Sequence, residues 1–219
     1  MKLTYFNGRG LAETSRVLLA ISGQQYEDFR YPLNVIDWSI FKMERPEFDE
    51  AKSAGKLWRS MDKLPFLEVD GQVIFQSKAI ERYLAHLFGF MGSTPLEAAF
   101  IDSICESIRD LKDSYSKVRN TNDSAFQIYF AETLPNLLLS INNIIKSRNN
   151  DVDTVHYVIG NKLSLADVTL FLFLTDFFNN NDLVTSAYKN LEVLNSIVEN
   201  IGNIDSIKKW LEVRPVTPF

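Results

Sequence analysis

Three short stretches of this chain carry residue types that could bind and activate a small molecule. Tyr5 ends a short apolar-led segment and stands just before a glycine-containing turn, Gly8-Arg9-Gly10. Lys63-Leu64-Pro65 presents backbone at the mouth of another strand-like segment. Gln76-Ser77 opens an amphipathic helix. At such a helix start, free N–H groups and the helix dipole favour a carboxylate. Other chemistries find no motif. Gly8-Arg9-Gly10 continues as Leu11-Ala12-Glu13 and lacks the third glycine of a dinucleotide loop. There is no Walker loop, no Gly-x-Ser-x-Gly elbow and no Cys-x-x-Cys. The lone Cys105 rules out an internal disulfide, and His86 and His156 stand too far apart to suggest a zinc site. Asp167 reads as a capping residue rather than a catalytic acid, because Ser164 three positions earlier fits the N-cap of the helix it opens.

The elements that must position these residues fall into two kinds. Residues 2–6 and 26–31 read as strands, with a helix over residues 11–21 between them, closed by Gly23. Residues 65–69 and 73–75 flank Asp70-Gly71 as a hairpin, and Ser77 opens a helix with Ile80, Tyr83, Leu84, Leu87 and Phe88 on one face. The polar stretch that holds Trp38, Phe48 and Trp58 has no legible period. Beyond residues 89–95, with two glycines and a proline, only helical spacing survives. It predicts helices from Ile101 to Val118, from Phe126 to Ile145 with a bend at Pro135, from Leu163 to Phe178, and over residues 191–201 and 204–211. The expected layout is an α/β domain over residues 1–88, a linker over 89–95 and an all-α domain over 96–219.

Charge narrows the partners. The chain has 23 basic and 28 acidic residues, a net −5. Residues 1–88 hold 12 of each sign, so residues 89–219 hold 11 against 16 and supply the whole −5. That balance argues against nucleic acid. No apolar run approaches the roughly 20 residues of a membrane helix, and the opening turns polar too soon for a secretory signal. A cytoplasmic protein without nucleic-acid or membrane partners is expected.

Taken together, these motifs resemble the cytosolic glutathione S-transferases, and within them the sigma class. The resemblance lies in Lys2-Leu3-Thr4-Tyr5-Phe6-Asn7 with Arg9-Gly10 and Ala12-Glu13, and in Leu64-Pro65 running into Leu67-Glu68-Val69-Asp70-Gly71. It continues in Gln76-Ser77-x-Ala79-Ile80-x-Arg82-Tyr83-Leu84, in Gly160-Asn161 and in Ser164-x-Ala166-Asp167. It implies a thioredoxin-like N-terminal domain followed by an all-α helical domain, and a homodimer that needs no cofactor or metal beyond the co-substrate glutathione.

The resemblance also implies roles. Tyr5 would donate a hydrogen bond to the glutathione sulfur, and Gln76 and Ser77 would hold the γ-glutamyl end. Leu64 would pair by its backbone with the cysteinyl part, next to a cis Pro65, with Lys63 as a neighbouring contact. Asp110 would reach across the dimer interface to the ligand's α-amino group. The clamp for the glycine carboxylate is an aromatic residue followed four positions later by lysine. Two pairs fit, Trp38 with Lys42 and Phe48 with Lys52; Lys52, closer to Leu64-Pro65, is the candidate taken, with Trp58 as an aromatic neighbour. Phe6, Leu11, Lys112 and Lys117 are the candidates for the electrophile pocket.

Some positions depart from the sigma-class prostaglandin D synthases. Leu11 replaces an arginine near the tyrosine, Lys112 and Lys117 replace bulky apolar residues, and Arg109 replaces an acid linked to metal binding. Conjugation of glutathione to small electrophiles is therefore the expected activity. A glutathione-dependent isomerase or peroxidase is the nearer alternative, and a non-catalytic ligand-binding protein on the same fold is the more distant one.

Overall fold

The structure is a computed structural model that describes residues 1–37, 42–121, 124–149 and 155–217. Its contacts divide the chain into two compact units, Met1–Phe88 with Lys209–Phe219, and Gly89–Lys208. The last eleven residues, expected with the helical half, are thus grouped with the first unit.

In the first unit, β1 (Lys2–Phe6) leads through a 3-10 turn (Gly10–Ala12) into α1 (Glu13–Ser22) and β2 (Glu27–Tyr31). A small hairpin of β3 (Asn34–Asp37) and β4 (Lys42–Glu44) follows, then α2 (Pro46–Ser53) and a second 3-10 turn (Trp58–Ser60). β5 (Phe66–Val69), β6 (Gln72–Phe75) and α3 (Ser77–Leu87) complete the fold. The main sheet runs β2-β1-β5-β6; β1 and β2 are parallel, whereas β5 is antiparallel to β1 and to β6. Parallel pairing of β1 with β2 requires a crossover, which α1 provides.

The second unit is helical among its described residues. It comprises α4 (Pro95–Val118), α5 (Ser124–Ile128), α6 (Leu134–Arg148), α7 (Leu165–Thr175), α8 (Asn181–Tyr188) and α9 (Glu192–Gly202). The final helix, α10 (Asp205–Val213), begins in this unit and ends in the first. The fold class matches the expectation: a mixed α/β sheet domain and a helical domain.

Several local expectations need correction. The segment from Phe126 to Ile145 is helical throughout, but its irregularity is not a bend centred on Pro135. A π-helical turn over Tyr129–Thr133 separates α5 from α6, and Pro135 lies in the first turn of α6, where its missing N–H costs nothing. The hairpin β3–β4, α2 and α8 were not legible in the sequence. Leu87, which shares the apolar face of α3 with the buried Ile80 and Leu84, is 48% exposed. Among the described residues no helix is long and apolar enough to cross a membrane.

The best-read feature is the start of α7. Ser164 caps it by accepting the Asp167 N–H, and Asp167 accepts from the Ser164 backbone N–H at 2.8 Å and the Ser164 hydroxyl at 2.6 Å. The other Asp167 oxygen accepts the Val158 N–H at 2.7 Å. Complete burial pushes the Asp167 carboxyl up to about 7 against these donors. The helix behind the cap is buried from Leu165 to Leu174.

Candidate functional site

Sheet register gathers the candidate residues of the first unit at one end of the sheet. Phe6 lies opposite Tyr31 of β2, and Thr4 opposite Phe66 of β5. Carried one residue further, the second register sets Tyr5 abreast of Pro65. Phe66 in turn faces Phe75 of β6, so Gln76 and Ser77 leave the sheet at that same end. Tyr5, Phe6, Leu64, Pro65, Gln76 and Ser77 therefore converge, although they come from three separate stretches of sequence.

Tyr5 is held by its own turn. Its hydroxyl oxygen accepts the Leu11 N–H at 3.1 Å. Burial raises the phenol above its usual range, and the Leu11 N–H and the Arg16 charge pull only partly against it. The hydroxyl therefore keeps its proton at neutral pH. With one lone pair already engaged by Leu11, that proton is available for an outside acceptor. Gly10 makes this geometry possible. Its φ is +39°, and a Cβ there would lie 2.6 Å from the Tyr5 hydroxyl. No other residue type offers both the conformation and the space.

Arg16, which the sequence reading did not single out, sits beneath the turn. It is fully buried, with its guanidinium carbon 5.8 Å from the Tyr5 ring centroid. It donates to the Gly8 carbonyl at 2.6 Å and to Asp28 at 3.2 Å, and its charge lies 3.6 Å from Glu13. Gly8 lies in the turn after β1, Glu13 one turn before Arg16 on α1, and Asp28 on β2; only the Glu13 spacing is visible in the local sequence.

Leu64 lies just ahead of the paired residues of β5, and the Leu64–Pro65 peptide bond is cis. Lys63 is exposed and Pro65 buried. Gln76, the residue before α3, adopts φ +73° and ψ +118°, and its carbonyl accepts the Ile80 N–H at 3.1 Å. A side chain in that region is strained by about 1–3 kcal/mol, a pattern found at functional sites. The start of α3 has no side-chain cap and no acidic residue in its first turn. Helix geometry leaves the N–H groups there without intrahelical partners, which suits an anion. The Lys78 ammonium beside it is held by Glu81 at 2.8 Å.

The candidates for the carboxylate clamp are spread more widely. Trp38 lies outside the described residues. Lys42 is exposed on β4, and Lys52 is exposed in the last turn of α2. Phe48 is 3% exposed and belongs to a core with Ala51 and Leu57, on which Phe6, Tyr31, Leu64 and Phe66 pack. The Phe6 and Phe48 rings meet edge to face, with centroids 5.1 Å apart. Phe48 is thus a packing residue. Trp58 is 73% exposed and Leu11 is 56% exposed.

The remaining candidates belong to the second unit. Asp110 and Lys117 are exposed on α4. The Lys112 ammonium lies 5.0 Å from the Phe177 ring centroid and 5.9 Å from that of Phe173. Arg109 pairs with Glu106 at 2.6 Å. Tyr115 heads a cluster with Tyr129, Phe130, Phe177 and Phe178 that the sequence reading missed.

The first unit thus carries a tyrosine, a cis-proline strand and an open helix start at one end of its sheet, and the two units together have the fold that the resemblance implies. Comparison with known proteins agrees. Residues 1–86 match the family described as "Glutathione S-transferase, N-terminal domain", and residues 109–214 match "Glutathione S-transferase, C-terminal domain". The chain is 31% identical to the probable glutathione S-transferase 5 of Caenorhabditis elegans, covering 100% of this chain and 98% of that protein. It is 32% identical to the hematopoietic prostaglandin D synthase of Gallus gallus, covering 99% and 97%. Among solved structures, the monomeric Na-GST-3 of the hookworm Necator americanus superposes with a TM-score of 0.78 at 29% identity, covering 100% and 98%. The chain belongs to the glutathione S-transferase family.

Proposed function

We propose that this protein is a glutathione transferase that joins the thiolate of reduced glutathione to small electrophiles. The observation that carries the reading is Tyr5: its hydroxyl accepts the Leu11 N–H and keeps a proton to donate. A free thiol has a pKa of about 8.5 and is mostly protonated at neutral pH. A hydrogen bond to a charged group contributes about 1.5–3 kcal/mol, and one pKa unit is about 1.4 kcal/mol. One bond from Tyr5 thus lowers the thiol by roughly one to two units and brings thiolate into the majority or close to it. The thiol proton leaves to solvent. The sulfur then forms a bond to the electrophilic carbon, and the leaving group departs with its electron pair.

The other roles follow the shape of the tripeptide. The γ-glutamyl carboxylate meets Ser77 and the N–H groups of α3, with Gln76 beside it. The cysteinyl backbone pairs with Leu64 next to Pro65, with Lys63 nearby, and Lys52 takes the glycine carboxylate. Asp110 of a second protomer binds the α-amino group in a homodimer. Phe6, Leu11, Lys112 and Lys117 contact the electrophile. No cofactor beyond glutathione is required, and the cytoplasm supplies it. The sigma-class assignment rests on the opening motif and on the strand and helix that follow Leu64-Pro65.

Glutathione-dependent isomerisation is the second reading, favoured by the likeness to a prostaglandin D synthase. Leu11, Lys112, Lys117 and Arg109 weigh against it, because they stand where the sigma-class prostaglandin D synthases have an arginine, bulky apolar residues and a metal-linked acid. The test is conjugation of glutathione to an aryl halide by the wild type and by Tyr5→Phe. The expected result is glutathione affinity within a few-fold and loss of most turnover near pH 7 in the variant. Equal activity would remove Tyr5 from the mechanism, and a wild type that binds no glutathione would remove the enzyme reading altogether.

A further inference from the structure

We propose that the C-terminal segment of the chain is a working part of the Tyr5 site, with Trp210, Arg214 and Glu13 as positioning residues that hold the turn beneath the tyrosine. The inference deepens the transferase reading and rests on it. Glu13 lies in the first turn of α1 and is 5% exposed. One carboxylate oxygen accepts the Trp210 indole N–H at 2.9 Å and an Arg214 N–H at 2.8 Å. The other lies 3.6 Å from the Arg16 guanidinium.

Arg16 continues the chain of contacts to the site. One of its N–H groups reaches the Gly8 carbonyl at 2.6 Å, and its Nε reaches Asp28, which Arg30 also binds at 2.7 Å. Arg30, Asp28, Arg16, Glu13 and Arg214 thus alternate in sign from β2 through α1 to the end of the chain. Each buried charge has an opposite charge against it, which is the condition under which such charges are tolerated. Gly8 opens the turn whose far end, Leu11, donates to the Tyr5 hydroxyl. Removing the contacts on Glu13 frees that carboxylate to draw on Arg16, and the grip of Arg16 on the Gly8 carbonyl loosens. The Leu11 N–H then leaves its line to the tyrosine oxygen, and the orientation of the donated proton goes with it. Small misplacements of this kind are costly in catalysis.

A purely structural role for the tail would lower the amount of folded protein and leave the chemistry of each folded molecule unchanged. The positioning role makes a different prediction. Trp210→Phe keeps the ring and deletes the N–H. Arg214→Met deletes the charge, and Arg214→Lys restores it. The combined variant Trp210→Phe with Arg214→Met is expected to lose about tenfold in kcat near pH 7. Its KM for glutathione should change less than twofold, and its pH–rate midpoint should rise by about half a unit. Arg214→Lys should recover most of the rate.

Amide hydrogen exchange over residues 6–17 supplies a readout that does not depend on activity. Faster exchange at Leu11 in the combined variant, with unchanged exchange in β5 and β6, supports the proposal. Unchanged exchange at Leu11, or a rate loss with an unmoved pH profile, overturns it. If the wild type shows no glutathione-dependent turnover, the transferase reading fails, and exchange at Leu11 alone then decides whether the tail holds the turn.

Discussion

Two buried polar clusters, one in each unit, use the same chemistry to opposite ends. At the start of α7, Asp167 accepts the Val158 and Ser164 N–H groups and the Ser164 hydroxyl, and the Ser164 oxygen accepts the Asp167 N–H. Each of these donors is spent inside the fold. At the end of β1, Tyr5 accepts the Leu11 N–H but keeps its own proton, and the neighbouring start of α3 has neither cap nor acid. The first cluster is closed and stabilises; the second is open on one side and can bind. A buried polar residue can serve a ligand only when part of its hydrogen-bonding capacity is left over by the fold.

The comparison can be broken from either side. The largest expected effect is at the closed cluster. Asp167→Ala leaves two N–H groups and a hydroxyl buried without an acceptor, which is expected to cost about 3–5 kcal/mol in urea denaturation. Activity per folded molecule should survive. The sign of the pH dependence follows from the folded carboxyl lying near 7, above its unfolded value of 3.8. Between those values the folded state holds a proton that the unfolded state has lost. The contribution of Asp167 is therefore full below about pH 4 and declines as pH rises through about 7. The gap between wild type and Asp167→Ala should narrow from pH 5 to pH 8. A gap that widens would mean that the donors outweigh burial.

Next in size is Gly10→Ala. The added methyl would meet the Tyr5 hydroxyl at 2.6 Å, and the φ of +39° is unfavourable for alanine. Stability should fall by about 1–2 kcal/mol, with turnover down about tenfold because the hydroxyl is displaced. Retained turnover with lost stability would show that the glycine serves only the fold. The smallest effect is expected at Ser77→Ala. Losing one hydroxyl to a carboxylate should raise the KM for glutathione by roughly tenfold, the low end for a hydrogen bond to a charged group, with kcat nearly constant. A fall in kcat alone would move Ser77 from binding to chemistry.

The open cluster was legible in the sequence because its parts are short and local. Tyr5 before a glycine turn, Leu64-Pro65 before a hairpin and Gln76-Ser77 before a helix each survive as a pattern of a few residues. What anchors them was not legible. Arg16 looks like any basic residue in a helix; its partner Asp28 comes from β2, and its other partner, Glu13, is held in turn by the distant Arg214. Gly10 was weighed as part of a phosphate loop, while its real constraint is the approach of the Tyr5 hydroxyl. The stretch around β3, β4 and α2 defeated periodicity for another reason. In the helical part only Phe48 and Ala51 are buried, too few for a face to stand out. The irregularity before α6 is a five-residue π turn inside a continuous helical run, too short to stand out from the apolar spacing on either side.

The central claim is that the free proton of Tyr5 stabilises a glutathione thiolate. Its most direct measurement is the ultraviolet thiolate absorbance of glutathione bound to the wild type and to Tyr5→Phe, followed against pH. The account predicts a bound thiol that titrates roughly one to two units below the free value in the wild type, and close to the free value in the variant. Equal titration in the two proteins would contradict it.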